Sequence, residues 1–273
     1  MGEVNAVFAS RIGLGSDIGA KYAILPGDPG RVEVIAAFLD KPKPLAVNRE
    51  YSSYEGYLAG EKILVMSTGM GGPSAAIAME ELYQIGVRTV CRIGSCGGMQ
   101  FPVVGGDIII PTSAIRQEGT THEYIYPEFP AVANFHMTEA LKNAATAHKA
   151  AFHLGVVQSK DSFYGQQEPL RMPVGEDLKR KYDAWIKAGA LGSEMECAAI
   201  FVVAQVLKMR AGAVLHVLWN KEREAAGMTN PTHRDMSGTI QVVMTALQSI
   251  IDDDRKKSKT EDRKGEGSHD TQI

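Results

Sequence analysis

Short apolar runs, each too short for a helix, are separated by glycine-rich turns along much of the chain. Tyr22-Ala-Ile-Leu25, Lys62-Ile-Leu-Val-Met66, Thr89-Val-Cys-Arg-Ile93, Gly105–Pro111, Phe152–Ser159 and Ala213–Trp219 read as largely buried strands. Helical patterns fall between and after them: Val32–Leu39, an alanine-rich stretch carrying Met79, Glu80 and Leu82, Met137–His148, and Glu176–Ala188 with a basic, solvated face. An apolar helix is expected from about residue 192 to Leu207, and a closing one over Ser237–Ile251. Strands interleaved with helices predict an α/β fold, a central mixed sheet flanked by helices, in a single domain over residues 1–251. Residues 112–136 and 161–175 show no period, and long irregular stretches inside a compact domain are usually functional. From Asp252 almost nothing apolar remains, which predicts a disordered, mixed-charge tail over residues 252–273.

Composition narrows the function classes without choosing one. The 273 residues are 44% hydrophobic and 22% charged, an ordinary globular balance, and the net charge of −3 points away from nucleic-acid or membrane surfaces. No apolar run approaches the roughly 18 residues of a membrane span, and Met1–Arg11 lacks the basic-then-apolar layout of a signal peptide. Cys91, Cys96 and Cys197 are odd in number and widely spaced, as expected of free thiols in a reducing, cytoplasmic setting. The histidines show no metal-ligand spacing.

Candidate chemistry sits at the strand ends. Thr89–Ile93 is expected to stop in a turn, Gly94-Ser-Cys-Gly-Gly98, whose glycines reach positive φ and whose Arg92 and Ser95 suit an anion such as phosphate. Pro26-Gly-Asp-Pro-Gly-Arg31, between a strand and a helix, has the layout of a second phosphate cradle, with Arg31 supplying charge. Ser67-Thr-Gly-Met-Gly-Gly-Pro-Ser74 is a third glycine-rich turn. Taken singly, each of these also fits an ordinary turn. Glu194 and Glu196 stand at the start of the apolar helix, where a buried carboxylate either caps the helix or accepts from sugar hydroxyls.

The ordered set Gly-Asp-Pro-Gly-Arg, Asn-Arg-Glu-Tyr, Ser-Thr-Gly-Met-Gly-Gly-Pro-Ser, Arg-Ile-Gly-Ser-Cys-Gly, Glu-Phe-Pro-Ala-Val-Ala, Asp-Ser-Phe-Tyr and Glu-Met-Glu resembles the hexameric nucleoside phosphorylase family, and within it the uridine phosphorylases. The resemblance covers about residues 10 to 251. It implies phosphorolysis of a pyrimidine nucleoside, most readily uridine, without a metal or organic cofactor and with inorganic phosphate as co-substrate. By the same resemblance Gly27, Arg31, Arg92 and Ser95 bind phosphate, joined by Arg49 from a neighbouring subunit. Glu196 and Met195 hold the ribose, Phe163 and Gln167 meet the base, and Arg92, Glu196 and Gln167 carry the catalysis. Asn220 stands where purine-cleaving relatives have an acidic proton donor, which favours a pyrimidine.

Three positions depart from the family pattern. Pro169 replaces an arginine that meets the base, with Arg171 the expected substitute. Arg11 stands where a neighbouring subunit's histidine meets the ribose, and Lys221 replaces an arginine after Asn220. The resemblance also implies a dimer as the minimal active unit, a hexamer overall, and a monovalent cation, K+, at Glu50 and Ser74. The alternatives are a phosphorylase preferring purines, a nucleosidase using water, and a nucleoside-binding protein without turnover. The retained arginines weigh against the nucleosidase.

Overall fold

A computed structural model of the chain describes residues 7–266, with side chains up to residue 260. The main strands are β1 (Tyr22–Pro26), β2 (Asp40–Asn48), β3 (Tyr51–Leu58), β4 (Glu61–Met66), β5 (Thr89–Gly98), β6 (Ile108–Gln117), β7 (Phe152–Lys160), β8 (Gly192–Glu194) and β9 (Arg210–Asn220). With the two-residue strand Ala131–Val132 they form one ten-stranded mixed sheet in the order β8-β7-β6-β9-β5-β1-β4-β3-β2. Strand β8 also pairs antiparallel with β5, Gly192 opposite Gly98 and Ser193 opposite Gly97, closing β5, β9, β6, β7 and β8 into a ring. Strands β4, β1, β5 and β9 run parallel, so their C-terminal ends open on one side. Ligands of α/β sheets bind at that edge.

The helices are α1 (Val32–Ala36), α2 (Gly72–Gln84), α3 (Phe135–Ala147), α4 (Phe163–Gln167), α5 (Gly175–Lys187), α6 (Cys197–Val206), α7 (Lys221–Ala225) and α8 (Ser237–Glu266). Alternate side chains of a strand point to opposite faces. Ala23, Leu25, Leu64, Met66 and Val90 accordingly join α2 and α6 in one core, while Tyr22, Ile24, Ile63, Val65, Cys91 and Ile93 join α1, α3 and α8 in the other. These central strands are buried on both faces, which is why they read as unbroken apolar runs. All three cysteines are free and buried.

The structure departs from the sequence expectation in four places. The glycine turn after Ile93 does not exist: β5 continues to Gly98, pairing with β9 as far as Asn220. Its glycines are there for space instead. A Cβ on Gly94 would lie 2.7 Å from Nη2 of Arg92, and one on Gly98 would lie 2.8 Å from Nδ2 of Asn220. Residues 40–58 form a hairpin with Arg49 and Glu50 at its tip, concealed in the sequence because Pro42 and Pro44 lie on the exposed edge strand β2, where proline is tolerated. The expected loop from residue 112 begins only after β6 ends at Gln117.

The fourth difference corrects the predicted tail. Helix α8 does not stop at Ile251 but continues through residue 266; residues 267–273 lie outside the described residues. Asp254 fixes its continuation, accepting from the Tyr22 hydroxyl at 2.8 Å and from Arg210 Nη1 at 2.8 Å, and Arg255 pairs with Glu61 at 3.0 Å. Polar composition concealed these anchors because their partners lie far away in the sequence.

Candidate active site

A cavity of about 610 Å³ opens at the C-terminal ends of the parallel strands. Gly27, Arg31, Arg92 and Ser95 line one part of it. Gly27 follows β1 directly, and a Cβ there would stand 3.2 Å from the Gly69 carbonyl oxygen and 3.9 Å from Nη1 of Arg92. Arg31 closes the 3₁₀ turn Pro29–Arg31, which Asp28 caps by accepting from the Gly30 amide at 2.9 Å. Its guanidinium, 30% exposed, lies 3.8 Å from the Asp28 carboxylate.

Arg92 is buried in β5. Its Nη2 donates to Glu196 and lies 3.2 Å from Oε2 of Glu194. Its Nε and Nη1 are buried without a partner among the described residues. Buried donors are almost always satisfied, so two on one guanidinium mark a place for an acceptor from outside the chain. Burial works against the charge, but Glu196 and Glu194 outweigh it and raise the pKa, so Arg92 stays a cation.

The two carboxylates divide the work that the sequence left open between them. Glu194 ends β8 and accepts from the backbone N–H groups of Glu196 at 2.9 Å and Cys197 at 3.0 Å, at the start of α6. It also accepts from the Ser159 hydroxyl. Burial pushes its pKa up, but Arg92 and these hydrogen bonds win and hold it below the usual carboxylate range. Glu196 accepts from the Gly71 amide at 2.6 Å, in the glycine turn where Gly71 takes φ +95°. Burial raises the Glu196 pKa, Arg92 opposes that shift, and the negative Glu194 adds to it. Glu196 and Met195 both face the cavity.

The opposite part of the cavity is built from a different kind of structure. Residues 161–175 resolve into α4, a 3₁₀ turn at Pro169–Arg171 and the start of α5. Ser162 caps α4 by accepting from the Gly165 amide at 2.9 Å, and the helix brings Phe163 and Gln167 to the cavity. Lys221 Nζ donates to the carbonyls of Gln166 at 3.1 Å and Gln167 at 3.2 Å, tying α4 to the end of β9. Lys160, Gln166 and Tyr182 complete this end, and nothing in their sequence context had singled them out. For Lys160 the available signal was its place as the last residue of a strand ending at the ligand-binding edge.

Four residues expected to meet phosphate, ribose or base do not line this cavity, and neither does Ser74 of the expected cation site. Asn220 is fully buried, and its amide is committed elsewhere: Nδ2 donates to the carbonyls of Gln100 and Val103, both at 2.8 Å, while Oδ1 accepts from the amides of Glu222 and Arg223. It caps α7 and clasps a loop, so neither base contact nor substrate class follows from it. Arg171 is exposed, paired with Glu168 at 3.2 Å, and lines a second cavity of about 920 Å³ that shares Lys160, Gln166, Tyr182 and Lys221 with the first. Arg49, at φ +55°, and Arg11 are both exposed. Asn48 Nδ2 donates to the carbonyls of Ser10 and Arg11, both at 2.9 Å, which places Arg11 and the hairpin tip on the same patch of surface. Glu50 lines the cavity and accepts from the Ser74 hydroxyl at 2.7 Å. Among the described residues no group of three or more His, Cys, Asp or Glu is placed to hold a metal ion, and no helix is long and apolar enough to cross a membrane.

Two cations and a hydroxyl, then a carboxylate, then an aromatic ring beside amides form a sequence suited to an anion, a polyol and a flat polar ring. Residues 21–253 match the family described as the phosphorylase superfamily. The uridine phosphorylase of Treponema pallidum (strain Nichols) is 48% identical over 239 residues, 88% of this chain and 92% of the relative. The uridine phosphorylase of Escherichia coli (strain K12) is 38% identical over 236 residues, 85% of this chain and 93% of the relative. The guanosine phosphorylase of Halorubrum lacusprofundi is 38% identical over 197 residues, 72% and 77% of the two chains. The fold, the cavity at the strand ends and these matches agree: the chain belongs to the phosphorylase superfamily.

Proposed function

We propose that the protein is a uridine phosphorylase, a pentosyltransferase that converts uridine and inorganic phosphate to uracil and ribose 1-phosphate. The observation that carries this reading is Arg92, whose two unpartnered, buried donors stand beside Glu196. Phosphate is held by Arg92, Arg31, Ser95 and the close-approach backbone at Gly27, with its charge partly neutralised. The ribose hydroxyls donate to Glu196, whose oxygens keep lone pairs beyond those taken by Gly71 and Arg92. Met195 packs beside the sugar. Holding both partners in one geometry removes much of the entropic barrier.

A phosphate oxygen forms the new bond to C1′ as the bond from C1′ to the base nitrogen breaks. The electron pair of the broken bond passes into the uracil ring, and the released anion takes a proton from water. Phe163 packs on the ring, and the Gln167 amide donates to it as negative charge develops. No cofactor enters the reaction.

The finer reading is oligomeric. Arg49 and Arg11, exposed on one patch, reach the neighbouring subunit's phosphate and ribose, so a dimer is the smallest active unit, within a hexamer. Glu50 and Ser74 offer hard oxygen donors that suit K+ between the subunits. The working compartment is the cytoplasm.

The test is a panel of uridine, deoxyuridine, thymidine, inosine and adenosine, each with and without phosphate. Uracil released from uridine only with phosphate is the expected result. Phosphate-dependent release of a purine alone, or equal release without phosphate, would overturn the reading.

A further inference from the structure

Lys160 ends β7 as one of the most buried lysines of the chain, 5% exposed, yet it lines the cavity. Its Nζ donates to the Ser193 hydroxyl at 2.8 Å and sits 3.5 Å from the Glu194 carbonyl oxygen. Both partners are neutral, and an ammonium carries three donors, so one remains without a partner among the described residues. Burying a charge whose hydrogen-bond partners are neutral is costly, and the carboxylates that act on it, Glu194 and Glu196, are already shared with Arg92. A serine or glutamine would tie β7 to β8 without that cost, so the tie alone does not account for a lysine.

The surroundings say which part of the cavity the charge serves. Nζ lies 5.9 Å from the centre of the Phe163 ring. Ser193 Oγ also hydrogen-bonds the Gln166 side chain at 3.0 Å, joining Lys160 to α4, which carries Gln167. The other cations nearby are committed or remote: Lys221 holds the α4 carbonyls, and Arg171 pairs with Glu168. Proline at 169 supplies neither charge nor donor.

We propose that Lys160 is the cation that reads the base, donating its free N–H to a carbonyl oxygen of uracil while Phe163 packs on the ring. This rests on the uridine phosphorylase reading and names the residue that makes its base site selective. A carbonyl on a departing base gains negative charge, so a cationic donor there favours both recognition and bond cleavage. Burial lowers the Lys160 pKa, and Glu194 and Glu196 partly restore it. At 5% exposure Nζ is poorly solvated, so an incoming carbonyl meets a donor with little water to displace.

The test measures the reaction in both directions for the wild-type protein and for Lys160→Met, Lys160→Gln and Lys160→Arg. In the synthetic direction, Lys160→Met and Lys160→Gln should raise KM for uracil about ten- to a hundredfold, the loss expected for one hydrogen bond to a charged donor. KM for ribose 1-phosphate, and for phosphate in the forward direction, should stay within about twofold. Lys160→Arg should recover part of the loss. An unchanged uracil KM in either soluble variant would overturn the proposal. So would uracil and ribose 1-phosphate constants that rise together, since a residue that only ties β7 to β8 would disturb Glu194 and Glu196 as well. A wild-type protein that fails to cleave uridine would instead defeat the function reading, and the Lys160 assignment with it.

Discussion

The two ends of the cavity are made differently. At the end proposed to hold phosphate and ribose, Arg92, Glu194 and Glu196 are buried on or beside central strands and share hydrogen bonds with one another and with the backbone of α6 and the Gly71 turn. At the base end, Phe163 and Gln167 ride on a five-residue helix held by a serine cap and by one lysine on two carbonyls. Removing Arg92 leaves two buried carboxylates without the cation they share. Substitution in the second set changes a partly exposed contact. On the proposed assignments, reaction chemistry rests on the core, and base preference rests on the partly exposed end.

The contrast can be broken most severely at Arg92. Arg92→Ala should lower phosphate-dependent turnover by about a thousandfold or more, as loss of a preorganised charge at the reacting centre does, and should cost stability by exposing Glu194 and Glu196 to each other. Steady-state rates with a melting curve measure both effects, and near-normal turnover would remove Arg92 from the phosphate site.

Glu196→Gln should cost about a hundredfold in kcat/KM, since an amide accepts the ribose hydroxyls less strongly than a carboxylate. The same residue sets a pH limb. Its raised pKa means that it takes up a proton at a higher pH than an ordinary glutamate, so kcat/KM should begin to fall earlier as the solution is acidified. In Glu196→Gln that limb should be absent from the pH profile; an unchanged limb would assign it to another group.

Asn220→Asp sharpens the division between structure and base contact. The carboxylate keeps the cap on α7 but cannot donate to the Gln100 and Val103 carbonyls, so stability should drop by about 2 kcal/mol. Thermal or urea unfolding reads that loss, and the uridine KM of the folded fraction should hardly move. A purine activity gained by this variant would return Asn220 to the base site. The smallest effect belongs to Arg171→Ala, whose uridine KM should stay within about twofold because its partner is an exposed glutamate. A larger rise would place Arg171 in the working cavity.

The same division governs what could be read from the sequence. Strands buried on both faces appear as unbroken apolar runs, so β1, β4 and the start of β5 with Arg92 were legible, as was the turn after β1 that carries Gly27 and Arg31. The glycines of β5 read as a positive-φ turn, whereas Gly94 and Gly98 clear space for Arg92 and Asn220 inside a continuous strand. The hairpin over residues 40–58 was concealed by edge prolines, and the continuation of α8 by contacts to Tyr22, Glu61 and Arg210. Asn220 ends β9 beside the site, but its amide turns away into the α7 cap, which its place in the sequence does not show. Lys160 stayed hidden because burial of a lysine depends on the strands that surround it, and β8, its nearest neighbour, is only three residues long.

The central claim is that Arg92 and Arg31 hold a phosphate that attacks the sugar. The most direct measurement follows the phosphorus by NMR while the wild-type protein turns over uridine in phosphate buffer. Ribose 1-phosphate appearing in equal amount with uracil is the predicted result. Uracil accompanied by free ribose, with the phosphate signal unchanged, would contradict it.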